Sequence, residues 1–209
     1  MKTLVVAATI DEVRGIYEHF KLPLSSFAEG TDFDILITGV GMTATAFALG
    51  KTLSSAYKQV LNLGIAGAFD KAIPLGTLIY ISKDVFSELG VEDNLNFIPV
   101  EELGFGESAF FCKKTNNIHL NHLVEGTGIT VNTVHGNAES IAKVIARLNP
   151  TLESMEGAAV FYACRQTGQP CIQVRAVSNY VEVRNKASWK IGLAIKNLND
   201  WAIVFLTKP

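Results

Sequence analysis

Short apolar runs alternate along this chain with longer stretches whose apolar residues recur at helical spacing. Leu4 to Ala8 reads as a buried strand and Asp11 to about Phe20 as the helix that follows it, with Pro23 and Ser25-Ser26 marking the exit. A second unit runs through Ile35-Leu36-Ile37, the turn Gly39-Val40-Gly41 and an Ala-rich helix from about Thr43 to Tyr57; a third strand, Val60 to Leu63, closes on Gly64-Ile65-Ala66-Gly67. Leu75 to Ser87 has strand spacing, Gly128 to Val131 resumes a strand, and Ala138 to Leu148 predicts a helix. Leu152 to Ala158 begins a further unit that leads into a helix ending near Gln166, and Gln169-Pro170 introduces a strong strand, Cys171 to Val177. From Asn185 to about Phe205, Trp189, Ile191, Ala194, Ile195, Leu198, Trp201 and Phe205 keep close to a 3.6-residue period, so a closing helix should dock on the sheet. Repetition of strand and helix predicts an α/β fold with a substantially parallel sheet. Residues 88–108 break the pattern with six acids and no base, as expected of a solvated acidic loop, or of a lid over a site. No repeat, low-complexity tract or linker divides the sequence, so residues 1–209 are expected to form one domain.

Composition narrows the chemistry. The 209 residues carry a net charge of −2, and 48% are hydrophobic. Only 18% are charged, below the roughly 25% of an average protein, which implies a well-filled core and excludes disorder. With neither net positive charge nor a Lys/Arg cluster, no nucleic-acid partner is expected. No apolar run approaches the roughly 18 residues that span a bilayer, so no membrane partner is expected either. The start, Lys2 followed by Leu4 to Ala8, imitates a signal peptide, but Asp11 and Glu12 interrupt it. Three cysteines without a CxxC suit a reducing cytoplasm. Among His19, His119, His122 and His135 there is one i,i+3 pair with no cysteine beside it, so no metal is expected and solvated loop histidines are the plainer reading. A small neutral or anionic ligand fits this balance better than a polyanion.

Five places carry residues unusual for their surroundings. Gly39-Val40-Gly41 follows a strand and opens a helix, as in a dinucleotide fingerprint. It lies in the second unit, however, and Tyr57-Lys58 stands where the ribose-binding acid belongs, so a tight turn is the better reading and a nicotinamide oxidoreductase a distant one. Glu12 lies just past the first strand, where open α/β sheets assemble their sites, although an acid in a first helical turn also suits the helix dipole. Glu156 sits between Met155 and three small residues where a strand becomes a helix; vicinal hydroxyls would satisfy its carboxylate. Arg175 interrupts an apolar strand and should pair inside or at an interface, most simply as a structural ion pair. Ser178-Asn179 ends that strand and presents an amide at the same edge as Glu12 and Glu156, or simply forms a turn.

Taken in order, Glu12, Asn62-Leu63-Gly64-Ile65-Ala66-Gly67, Met155-Glu156-Gly157-Ala158 and Arg175-Ala176-Val177-Ser178-Asn179 resemble the purine nucleoside phosphorylase superfamily, particularly its methylthioadenosine/adenosylhomocysteine nucleosidase branch. Glu88 to Asp93, Glu153 to Ala159, and Ser178-Asn179-Tyr180-Val181 with Arg184 and Ala187-Ser188-Trp189 are similar to the futalosine hydrolases of menaquinone biosynthesis. The resemblance implies a three-layer αβα sandwich around a mixed, largely parallel twisted sheet, a homodimer, and hydrolysis of a nucleoside N-glycosidic bond without cofactor or metal. By the same resemblance Glu12 is the general base, Glu156 and Met155 hold the ribose, Asn179 meets the purine, and the glycine turn at Ala66-Gly67 places backbone donors near water and sugar.

Two departures refine this. Where adenine-specific relatives carry an aspartate, this chain has Asn179, whose amide can donate to the acceptors N7 and O6 of hypoxanthine. The turns Gly39-Val40-Gly41 and Gly64 to Gly67 lack the arginines with which phosphorylases hold phosphate, and Arg14 is the one arginine in the first half, so water is the expected acceptor. Arg184 and Lys186 are candidates for the carboxylate at the far end of futalosine, against ordinary surface solvation. Another purine nucleosidase or phosphorylase, or a non-catalytic nucleoside-binding module, are the rival readings.

Overall fold

A computed structural model describes residues 1–94, 96–112 and 118–207. The strands are β1 (Lys2–Ala7), β2 (Phe27–Glu29), β3 (Phe33–Ile37), β4 (Tyr57–Ala68), β5 (Leu78–Phe86), β6 (Gly90–Asp93), β7 (Asn96–Pro99), β8 (Ala109–Phe111), β9 (Val124–Thr130), β10 (Leu152–Ser154) and β11 (Cys171–Tyr180). The helices are α1 (Ile10–His19), α2 (Met42–Thr52), α3 (Ala138–Leu148), α4 (Gly157–Thr167) and α5 (Ile191–Thr207). The main sheet runs β10-β9-β5-β11-β4-β1-β3-β2, with β8 on β5. It is mixed: β3, β1, β4 and β11 are parallel, as are β5, β9 and β10, while β11 meets β5 antiparallel. Because β10 also pairs antiparallel with β4, the strands β4, β11, β5, β9 and β10 close on themselves.

Period-two alternation builds the layers. Val5 and Ala7 on β1, with Ile35, Leu61, Leu63, Val174 and Ala176, face Val13, Ile16 and Tyr17 of α1 and Ala194, Leu198, Ala202 and Phe205 of α5. Leu4 and Val6, with Leu36, Val60, Ile79, Ile81 and Val177, face Leu49 of α2 and Val160, Phe161 and Cys164 of α4. The result is the three-layer αβα sandwich that the resemblance implied. Among the described residues no helix is long and apolar enough to cross a membrane.

Four expectations need correction. The second helix ends at Thr52, five residues early: Leu53 is extended, and Tyr57 opens β4 with its hydroxyl donating to buried Asp34 at 3.0 Å. Gly64 to Gly67 is no turn, because β4 runs straight through to Ala68. Residues 88–94 and 96–108 include a hairpin, β6 on β7. Three of the six acids have partners: Glu88 accepts from Asn132, Glu101 from Ser108, and Glu107 pairs with Arg165, while Glu92, Asp93 and Glu102 are exposed. Finally, the closing helix starts at Ile191, after a 3-10 turn over Lys186–Ser188 that Asn185 caps through Ala187 N.

Candidate active site

The carboxyl ends of β1, β4, β10 and β11 surround a cavity of about 370 Å³. Glu12, Ala66, Gly67, Met155, Glu156, Asn179 and Arg184 all line it. Lys186, the other cation considered for a substrate carboxylate, does not.

Glu12 is held by both of its surroundings. It is the N3 residue of α1, and its Oε2 accepts from Thr9 N at 3.0 Å and Thr9 Oγ1 at 3.2 Å, a capping box that satisfies the helix start. Its Oε1 accepts from Ile65 N on β4 at 3.1 Å, so the helix-capping and site readings are both true of one carboxylate. The helix kinks next to it, at Val13, where α5 intervenes: Asn199 Nδ2 donates to Glu12 O at 2.8 Å, and Asn199 Oδ1 accepts from Ile16 N at 3.0 Å. Burial pushes the Glu12 carboxyl above its ordinary range and neighbouring Glu156 adds to this, while Arg175 and the Ile65 and Thr9 amides pull the other way.

Arg175, 1% exposed, stands behind Glu12 with Nε and Nη2 lacking a hydrogen-bond partner among the described residues. No ion pair within 4.0 Å ties it to an acid there, so it acts on Glu12 through its field rather than as the tight internal ion pair the sequence suggested. Gly64 makes room for it. A Cβ there would meet Arg175 Nη1 at 2.0 Å and Glu12 Oε1 at 2.9 Å. The glycine serves close approach inside a strand, which explains why the apparent turn is not one.

Glu156 is the N-cap residue of α4, yet its side chain leaves its own helix and accepts from Gly41 N at 2.9 Å. Gly41 has φ 94 and Gly39 φ 85, so Gly39-Val40-Gly41 is the tight turn expected, with an amide directed at an acid of the chain. Ser154 Oγ, in the same wall, is buried without a hydrogen-bond partner among the described residues.

Asn179 is less free than its sequence suggests. Its Oδ1 accepts from Ser178 Oγ at 2.8 Å, and Nδ2 donates to Tyr180 O at 3.1 Å, leaving one amide hydrogen. Gly67 again supplies space: a Cβ there would lie 3.1 Å from Asn179 Nδ2 and 3.0 Å from Val181 Cγ2. Arg184 sits exposed at the mouth with its guanidinium 5.5 Å from the centre of the Trp189 ring, which also lines the cavity. Arg14 is engaged at the surface with Asp11 at 2.6 Å.

Two arrangements escaped the sequence reading. His135, placed among solvated loop histidines, lines the cavity and pairs through Nδ1 with Glu153, whose Oε1 accepts His135 N at 2.9 Å. Its signal was Glu153 itself, an acid in a short strand that is buried throughout. The second is a buried chain under α4: Asn62 Nδ2 donates to Gln173 Oε1 at 2.9 Å, Gln173 Nε2 to Asp84 Oδ2 at 2.7 Å, Thr130 Oγ1 to Asp84 Oδ1 at 2.9 Å, and Ala158 N to Thr130 Oγ1 at 2.7 Å. Burial raises the Asp84 carboxyl to about 6 against these bonds and the field of Arg175. Gly157 is small because a Cβ would meet Asp84 Oδ2 at 2.0 Å.

Comparison with known proteins gives these residues a context. The description of the phosphorylase superfamily fits residues 25–204. A futalosine hydrolase of Streptomyces coelicolor is 33% identical over 178 residues, covering 80% of this chain and 76% of that protein. One from Thermus thermophilus is 30% identical over 178 residues, with 81% and 79% covered. Among solved structures, a 5'-methylthioadenosine/S-adenosylhomocysteine nucleosidase from Colwellia psychrerythraea in complex with adenine shares the fold with a TM-score of 0.82 at 22% identity, over 99% of this chain and 95% of that one. The native futalosine hydrolase of Helicobacter pylori does so at 0.81 and 19%, over 99% and 96%. By its match over most of its length and by these relatives, the chain belongs to the phosphorylase superfamily, among the N-glycosidic hydrolases that include the futalosine hydrolases.

Proposed function

We propose that the protein hydrolyses the N-glycosidic bond of futalosine and releases hypoxanthine. The observation that carries the reading is the convergence of Glu12, Glu156 and Asn179, from three distant parts of the chain, on one cavity large enough for a nucleoside. Glu12 takes a proton from water as the new oxygen bond to C1′ forms. The C1′–N9 bond breaks, its electron pair goes to the purine, which takes up a proton from solvent as it leaves, and positive charge develops on the ribose, where Glu156 stabilises it and fixes the hydroxyls. Asn179 donates its remaining amide hydrogen to the N7/O6 edge. Its carbonyl lies 2.8 Å from Ser178 Oγ, whose one proton is shared with Ala66 O at 3.2 Å, and this favours the acceptor O6 over the amino group of adenine at the same place.

Water as acceptor is supported by the side chains present. The amide of Gly41 serves Glu156, and Arg14 is committed to Asp11, so neither contributes to a phosphate cradle. Arg184, with Trp189 beside it, is assigned to the benzoate end of futalosine. A second copy of this chain is the assigned partner: Phe47, Leu89 and Val91 leave apolar side chains 43–70% exposed, and Met42, Ala46, Phe86, Leu89 and Tyr162 line a further open cavity of about 550 Å³. Sedimentation at micromolar concentration should give a dimer.

The deciding experiment is chromatographic detection of free purine after incubation with futalosine, inosine and methylthioadenosine, each with and without phosphate. Phosphate-independent hypoxanthine release from futalosine, well above the other two, is expected. Preferred cleavage of methylthioadenosine would overturn the role of Asn179, phosphate dependence would overturn water as acceptor, and release from none would leave a binding module.

A further inference from the structure

The His135–Glu153 pair has no part in the chemistry above, and its position gives it one. Glu153 pairs with Gly67 across β10 and β4, and Asn179 pairs with the same Gly67 across β4 and β11. Glu153 and Asn179 therefore stand one on each side of a residue without a side chain, two strand spacings or about 10 Å apart. That span holds a purine with a hydrogen bond at either edge. Glu153 is not itself a free ligand group: its side chain is 3% exposed, its Oε1 is used by His135 N, and its Oε2 by His135 Nδ1. The imidazole, 16% exposed and lining the cavity, is what it presents.

We propose that His135, positioned by Glu153, reads the N1 position of a 6-oxopurine and is a determinant of base specificity; this rests on the assignment of Asn179 to the N7/O6 edge. With the ring neutral, the carboxylate holds the proton on Nδ1, so Nε2 is an acceptor. Hypoxanthine offers N1–H, a donor, and is matched. Adenine offers an unprotonated N1, and two acceptors then face each other across a desolvated gap. Asn179 and His135 thus test the same distinction from the two edges that flank C6, one by donating and the other by accepting.

The tautomer makes the idea testable. In Glu153→Gln the amide oxygen must stay on His135 N, which needs an acceptor, so the amide NH2 faces Nδ1 and drives the ring proton to Nε2. The ring then donates, and N1 of adenine becomes the match. Binding of free hypoxanthine and adenine is measured by calorimetry at a series of pH values from about 6.5 to 8, below the ionisation of hypoxanthine, and the ratio is read where it no longer changes with pH. The wild-type protein should prefer hypoxanthine; Glu153→Gln should shift the ratio of dissociation constants toward adenine by about tenfold to a hundredfold. His135→Ala, on a loop where folding is less at risk, should weaken hypoxanthine by about tenfold while changing adenine little. A purely structural role for the pair would weaken both bases alike, and an unchanged ratio in the folded variants overturns the inference alone. Wild-type protein that binds neither base, or prefers adenine, overturns the 6-oxopurine reading and this inference with it.

Discussion

Glu12 and Arg175 meet across the α-carbon of Gly64, with room for no further atom: a Cβ there would stand 2.0 Å from the guanidinium and 2.9 Å from the carboxylate. The arginine is fully buried, so it has nowhere to retreat. Gly64→Ala should lower stability by about 1–3 kcal/mol, the usual cost of overpacking a core, read as a shift in the denaturant midpoint. Purine release should fall further than stability accounts for, because the displaced charge is the one behind Glu12, the proposed general base.

The same pair sets a pH dependence. A base must be ionised, and burial raises the Glu12 carboxyl while Arg175 lowers it. In the wild-type enzyme kcat/KM should therefore rise with pH through a midpoint above the ordinary glutamate range. Arg175→Met should move that acid limb to higher pH, and Arg175→Lys should leave it nearly in place. A limb that ignores both substitutions would remove Glu12 as the titrating base.

Asp84 gives a stability effect independent of activity. Its carboxyl titrates at about 6 in the fold against an ordinary 3.8, so the folded state binds the proton more tightly than the unfolded chain does. The sign is that of a raised group: the contribution is fully present below pH 4 and is lost as pH climbs through 6. The loss is about 3 kcal/mol at 1.36 kcal/mol per pH unit. Asp84→Asn should flatten this segment of the stability profile, measured by urea midpoints between pH 4 and 7.

Asn179→Asp exchanges a donor for a carboxyl facing Tyr180 O. Hydrolysis of the hypoxanthine nucleoside should fall relative to its 6-amino analogue by about tenfold. Equal loss on both substrates would argue against a role at the base edge.

Arg184→Ala should raise KM for futalosine severalfold and leave inosine unchanged, since inosine lacks the benzoate. Its exposure makes a folding defect an improbable source of any difference.

The five helices and the long strands were legible because local periodicity decides them, while the short strands β2, β6, β7 and β8 carry too few residues to show a period; Glu12, Glu156 and Asn179 stood out because each breaks an apolar pattern at a strand end. What the sequence hid depends on residues far apart in it. Gly64 and Gly157 look like turn formers until Arg175 and Asp84, more than 70 residues away from each, are seen to occupy the space where a Cβ would be. Asp84 sat unremarked in an ordinary strand pattern, and its two side-chain partners come from β9 and β11, with Thr130 in turn tied to α4. His135 could not be told from a solvated histidine without the fold that brings Glu153 to it.

β11 is the last strand among the described residues, yet it stands between β5 and β4, where it also brings Arg175 and Asn179. Until it has been synthesised, those two strands have no partner between them, and their Val, Ile and Leu edges are templates for pairing with other chains. A fragment ending before residue 171 lacks Arg175 and Asn179, so the cavity is completed only when this strand closes the sheet. Refolding from denaturant should accordingly lose yield steeply as protein concentration rises, and a peptide spanning β11 added in excess should recover part of it.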